Sequence, residues 1–182
     1  MTTKTVLGTS LAAIFAISMI MTPASAHLTY QGITAGSVSV TAVPPNLTKL
    51  SLTATGTIPK NTPDLVGFAW LYSSGPNTAF AITSHQSVRD SAQNPDGWHA
   101  HNVVLGTGAG AATFCVSAIS DAPNSGVAIT GSSLTVEARN SILTGTLLTT
   151  AAAFDIIVEP ACPITSPTAS LRLGIIVDAL GS

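Results

Sequence analysis

Polar and apolar residues alternate along most of the chain with the period of a β-strand. Residues 37–43 read SVSVTAV, in which serine or threonine alternates with a larger apolar residue, and residues 49–56 read KLSLTATG with the same spacing. Because successive side chains of a strand point to opposite sides of the sheet, this period predicts strands with one buried face. Proline and glycine, as at Pro44, Pro45 and Gly56, interrupt the pattern where turns are expected.

The clearest predicted hairpin joins residues 65–74 to residues 78–85 across the turn sequence GPN. Aromatic side chains fall on one face of its first strand, at Phe68, Trp70 and Tyr72, and smaller residues fall on the other face. Strand formers on both sides of a short glycine-containing turn are typical of a β-hairpin. A long polar loop, residues 86–97, is expected to follow.

Further strand-like segments continue to the end of the chain. They are residues 98–105, 113–120, 134–139, 141–150, 153–160 and 170–179. Roughly eight to ten short strands separated by turns predict an all-β sandwich or barrel. We expect a single-domain antiparallel β-sandwich, immunoglobulin-like or Greek-key in topology, with one disulfide. Residues 141–153 are the one place where a short helix is conceivable, although threonine and glycine disfavour it.

The first 26 residues have the pattern of a secretory signal peptide. Lys4 precedes an apolar run over residues 6–21, and the small-residue triplet at 24–26 matches a cleavage site. The sequence therefore predicts a signal peptide at residues 1–26 and a β-sandwich domain at residues 27–182. An uncleaved anchor is the alternative. We therefore expect a secreted, extracellular or cell-surface protein.

The composition excludes some classes of partner. Charged residues make up 8% of the chain, against about 25% in ordinary soluble domains. Because no basic stripe is present, nucleic-acid binding has no electrostatic basis. No second long apolar run follows the first, so we expect no transmembrane segment after signal cleavage. Partners are expected at the cell envelope or surface, and the oligomeric state is left open.

Two short features concern covalent modification. Cys115 and Cys162 are the two cysteines, and in an exported chain such a pair predicts a disulfide. The alternative is that Cys115 acts as a thiolate metal ligand beside the histidines. Asn46 begins the sequence NLT, an acceptor pattern for N-glycosylation, although so short a pattern is common by chance.

The stretch WHAHNVVLG carries the candidate chemistry. His99 and His101 are separated by one residue and therefore project from the same face of the predicted strand, which Val103 and Leu105 continue. Two imidazoles at this spacing can bind one metal ion, with metal–nitrogen distances of about 2.0 Å.

Further ligands have to come from elsewhere in the chain. His85 ends the preceding strand and would meet the start of the next one, near His99, if the two strands are antiparallel neighbours. His27 would begin the mature chain and offer both its α-amine and its ring, a chelate that suits copper. Asp90 and Asp96 lie in the intervening loop and could supply an oxygen ligand or orient an imidazole.

The sequence therefore supports two functions of different classes. The first is an exported β-sandwich that binds copper or zinc through His85, His99, His101 and His27. The second is a structural or adhesive cell-envelope domain without metal, in which the disulfide and the low charge serve durability. For the histidine pair itself, the alternative to metal binding is that both rings lie on the solvent face. No residue is assigned a catalytic role: the nucleophile motif G-x-S-x-G is absent, and no histidine follows Cys115 as a blue-copper site requires.

Overall fold

The computed structural model describes residues 28–84, 94–165 and 171–182. Within these ranges the regular secondary structure consists of strands, and none of the described residues forms a helix long and apolar enough to cross a membrane. The strands are β1 (Ser39–Val43), β2 (Leu47–Thr53), β3 (Val66–Tyr72), β4 (Ala79–Ser84), β5 (Trp98–Thr107), β6 (Phe114–Asp121), β7 (Gly126–Thr130), β8 (Ser133–Arg139), β9 (Leu147–Val158) and β10 (Leu173–Gly181).

The strands form two antiparallel sheets. One has four strands in the order β1-β2-β8-β7, and the other has six in the order β10-β6-β5-β4-β3-β9. The six-stranded sheet closes on itself because β10 pairs with β9 along most of its length and with β6 at Gly174 and Ile175. We call it the closed sheet. The predicted all-β, antiparallel, sandwich-like fold is confirmed.

Two strand predictions differ from the structure. Residues 126–130 form β7, which the sequence analysis did not assign, and residues 147–158 form one continuous strand where two segments were expected. Strand β7 is short and joins β8 through the turn at Gly131, whose φ of 59° favours glycine. The described residues of 141–153 contain no helix, in agreement with their threonine and glycine content.

The main hydrophobic core lies between the two sheets. Alternation in the strands sends the aromatic face of β3 toward it, so that Phe68 and Trp70 are fully buried together with Trp98 of β5. The rings of Phe68 and Trp98 stack with centroids 6.0 Å apart. The four-stranded sheet contributes branched aliphatic side chains, among them Leu50 and Leu134. This layer is what makes the fold a sandwich.

The disulfide between Cys115 and Cys162 is present. It ties β6 to the turn after β9, and both residues are buried in a small apolar cluster with Ala112. The alternative in which Cys115 serves as a thiolate ligand is therefore wrong, because its sulfur is bonded to Cys162. Asn46 lies in the exposed turn between β1 and β2, which is a suitable place for the glycan that its sequence predicts.

Candidate functional site

The closed sheet surrounds a cavity of about 420 Å³, which we call the central cavity. Its walls come from the inward faces of β3, β4, β5, β6, β9 and β10. The surface of the cavity is apolar throughout. A volume of this size is within the range of small-molecule binding sites, about 300–1,000 Å³.

Small side chains make room for the cavity. Where the outward face of β3 carries Phe68 and Trp70, its inward face carries Gly67 and Ala69. Alanines continue around the wall at Ala79, Ala81 and Ala152. Because interiors are otherwise packed to nearly crystalline density, a wall of alanines that leaves space unfilled is a structural feature in its own right.

Exposed apolar side chains lie at the edge of the cavity. Phe114 and Ile119 are each 40% exposed and Leu180 is 67% exposed, and all three line the cavity. Large apolar residues scattered singly are ordinary on a protein surface, but exposed apolar side chains that also line a cavity are typical of a binding site. The cavity is therefore reachable by apolar molecules.

One end of the closed sheet is polar. Along the inward faces of three neighbouring strands, the residues change from apolar to polar at the same end: Thr83 on β4, His99 and His101 on β5, and Asp121 on β6. The cross-strand pairs Thr83–His99 and His101–Asp121 place these side chains next to one another. We call these four residues the polar floor; among them, Thr83 lines the central cavity.

The two histidines occupy the positions that their spacing predicted. Their ring centroids are 4.5 Å apart at an interplanar angle of 71°, and His99 and His101 are only 6% and 5% exposed. Nδ1 of His101 lies 3.4 Å from Oδ1 of Asp121. The alternative in which both histidines lie on the solvent face is therefore wrong. The predicted antiparallel pairing of the strands before and after the loop is confirmed as β4 with β5.

No contact among the described residues joins the other predicted metal ligands to His99 or His101. His27, His85 and Asp90 lie outside the described residues. Asp96 forms an ion pair with Lys60, with Nζ and Oδ2 3.0 Å apart. In the part of the chain that the structure describes, no group of three or more His, Cys, Asp or Glu side chains is arranged to hold a metal ion.

A second buried polar cluster lies outside the closed sheet. The Gln31 amide nitrogen donates to Oδ1 of Asp155 at 2.6 Å and to Oδ2 of Asp178 at 2.9 Å. Burial raises the pKa of the nearby Tyr30 phenol, and the carboxylate of Asp64 raises it further. These contacts join the first described residues to β9 and β10, and their role is structural.

The cavity and the floor residues Thr83 and Asp121 were not predicted from the sequence. One signal was available, because the hairpin strands place alanine and glycine opposite a row of aromatic residues. The signal was not decisive, since a face of small residues can equally pack against another layer.

The chain matches no known protein family, no curated protein and no solved structure.

Proposed function

We propose that the protein binds a small apolar molecule inside the closed sheet. The central cavity is the observation that carries this proposal, because it is internal, apolar and about 420 Å³ in volume. A 150 Å³ apolar cavity holds benzene, so this one has room for a ligand on the order of fifteen heavy atoms. Transfer of apolar surface from water into the cavity provides the driving force.

The proposal includes export of the protein. The signal-like pattern of residues 1–26 and the disulfide support it, since disulfides persist in oxidising compartments. In such a place the protein would capture or present an apolar compound outside the cell. The intact mass of the exported protein will show whether the chain begins at His27, and an uncut N-terminus would contradict this part.

Filling the cavity tests the binding function. Ala81 is 3% exposed and lines the cavity, so the added side chain in Ala81→Leu occupies the space that a ligand needs. We expect the variant to bind pentylbenzene at least about tenfold more weakly than the unmodified protein, measured by calorimetry, without a loss of thermal stability.

The matched control is Ala128→Leu, because Ala128 is exposed on β7 and lies outside the cavity wall. Its affinity for pentylbenzene should equal that of the unmodified protein. Absence of pentylbenzene binding by the unmodified protein, or equal binding by both variants, would contradict the proposal.

Metal binding is a second candidate, favoured by the adjacent buried rings of His99 and His101 and by the carboxylate of Asp121. The two imidazoles can bind zinc or copper, and the Asp121 carboxylate can orient the ring of His101. In this candidate the ion is copper or zinc, and His85 and His27 supply the remaining ligands.

Replacing the histidine pair tests the metal candidate. We expect the unmodified protein to retain about one equivalent of copper or zinc after dialysis, and the variant His99→Ala/His101→Ala to lose it. Separate His85→Ala and His27→Ala variants would show whether those residues contribute. Retention of metal by the double variant would exclude the pair as ligands, and pentylbenzene binding provides the check that the variant is folded.

A further inference from the structure

The hydroxyl of Thr83, in the polar floor, would form no hydrogen bond with a purely apolar ligand. Thr83 is 5% exposed and lines the central cavity, yet its Oγ1 has no hydrogen-bond partner among the described residues. Most buried side-chain hydroxyls have a partner, so an exception needs an explanation. A ligand that brings a polar group to this end of the cavity provides one.

The other two threonines of the cavity wall behave differently. Oγ1 of Thr78 accepts the backbone N–H of Leu105 at 3.1 Å, and Oγ1 of Thr113 accepts that of Val177 at 3.2 Å. Both of these threonines are exposed, whereas Thr83 is buried. The unpartnered hydroxyl is therefore located at the polar floor and not at the exposed positions.

We infer that the polar floor binds the uncharged, hydrogen-bonding head group of an amphipathic ligand whose apolar body fills the central cavity. The inference rests on the proposed function and specifies its ligand. The surface of the cavity is apolar. A rotation of about 120° between staggered χ1 rotamers carries Oγ1 of Thr83 to the position of its methyl group and can turn Oγ1 toward the head group.

The charges near the cavity favour an uncharged head. None of the described lysines and arginines lines the cavity, so none of these residues can pair there with an anionic head. Asp121 would in addition repel an anion at the floor. Its carboxylate already faces His101 and its side chain is 58% exposed, so it offers a cationic head little compensation for leaving water. A hydroxyl both donates and accepts hydrogen bonds, which suits a floor made of imidazole and hydroxyl groups.

The test compares three probes with the same apolar body: pentylbenzene, phenylpentanol and phenylpentanoate. Binding to the full chain is measured by calorimetry near neutral pH, with Thr83→Val as the variant. Valine keeps the shape of threonine and removes only the hydroxyl. We expect Thr83→Val to bind phenylpentanol about threefold to tenfold more weakly, as for the loss of one neutral hydrogen bond, and pentylbenzene equally well. Phenylpentanoate should bind more weakly than phenylpentanol.

The matched control is Thr135→Val, since Thr135 lies on β8 outside the cavity and should affect neither probe. Nuclear Overhauser effects place the head directly: the carbinol protons of phenylpentanol should contact the ring protons of His99 or His101. If the carbinol protons instead contacted Leu71 or Leu173, the ligand would be bound in the opposite orientation, with its head group away from the polar floor. That result would overturn the inference. The inference would also be overturned if Thr83→Val weakened the binding of phenylpentanol and pentylbenzene equally, or if phenylpentanoate bound more tightly than phenylpentanol. Either result would leave the proposal of an apolar binding cavity intact. If none of the three probes binds the unmodified protein, the proposed function itself fails.

Discussion

At the scale of single residues, polar side chains join parts of the chain that are far apart in sequence. The carboxylate of Glu159 accepts the backbone N–H groups of Ala161 and Ala111, each at 2.9 Å. These two hydrogen bonds, that from Ala161 first, lower the pKa of Glu159. They hold the loop before β6 against the turn that carries Cys162.

Glu159→Gln is expected to lower stability at neutral pH and to change its pH dependence. A carboxylate with a lowered pKa in the folded state stabilises that state fully above its ordinary pKa of 4.5. This contribution is lost as the pH falls through the lower folded pKa. The melting temperature of Glu159→Gln should therefore lie below that of the unmodified protein near neutral pH, and the difference should narrow in acid.

Melting temperatures measured from neutral pH down to below the ordinary pKa of 4.5 check the prediction. Glu137→Gln is the control, because Glu137 is an exposed carboxylate on β8. A difference between Glu159→Gln and the unmodified protein that stays constant with pH would mean that the charge of Glu159 is not involved.

At the scale of elements, each strand of the closed sheet presents two different environments. The outward face of β3 packs into the core between the sheets, and its inward face lines the cavity. Gly67 leaves no room for a side chain on the inward face. A Cβ at this position would clash with the Phe154 ring and would lie 2.8 Å from the carbonyl oxygen of Ile82.

Gly67→Ala should therefore destabilise the protein and reduce the cavity. The carbonyl of Ile82 is backbone and cannot swing away, so overpacking is expected to cost about 1–3 kcal/mol. Phe154 also lines the cavity, and displacing its ring inward should weaken pentylbenzene binding. Chemical denaturation and calorimetry measure the two effects.

Gly126→Ala is the control, since nothing lies within 4 Å of a Cβ at that position on β7. It should leave stability unchanged or slightly raised. If Gly67→Ala were as stable as this control, the prediction would be wrong, and the wall of the closed sheet could accommodate the added methyl group.

At the scale of the whole molecule, the fold combines a packed core with an unfilled interior. The core between the sheets holds the large aromatic residues, and the disulfide closes the chain between β6 and the turn after β9. In the chain-entropy description, a loop of 47 residues adds about 4 kcal/mol to stability. A protein stabilised in this way can leave space inside the closed sheet without losing its fold.

Much of this architecture could be predicted from the sequence by itself. Alternation located most of the strands, the two cysteines indicated their bond, and the spacing of His99 and His101 placed both rings on one face. These predictions hold because they depend on local geometry: the period of a strand fixes which residues share a face, whatever the strand pairs with.

Only the tertiary structure decided what each face meets. The pairing of β10 with both β9 and β6 closes the six-stranded sheet. Because the sheet is closed, the alanine-rich faces of its strands become the walls of a cavity. The pairings of β5 with β4 and with β6 bring Thr83 and Asp121 to the histidines from the strands that precede and follow them. Such contacts depend on the order and register of distant strands, which a period of two along the chain does not encode.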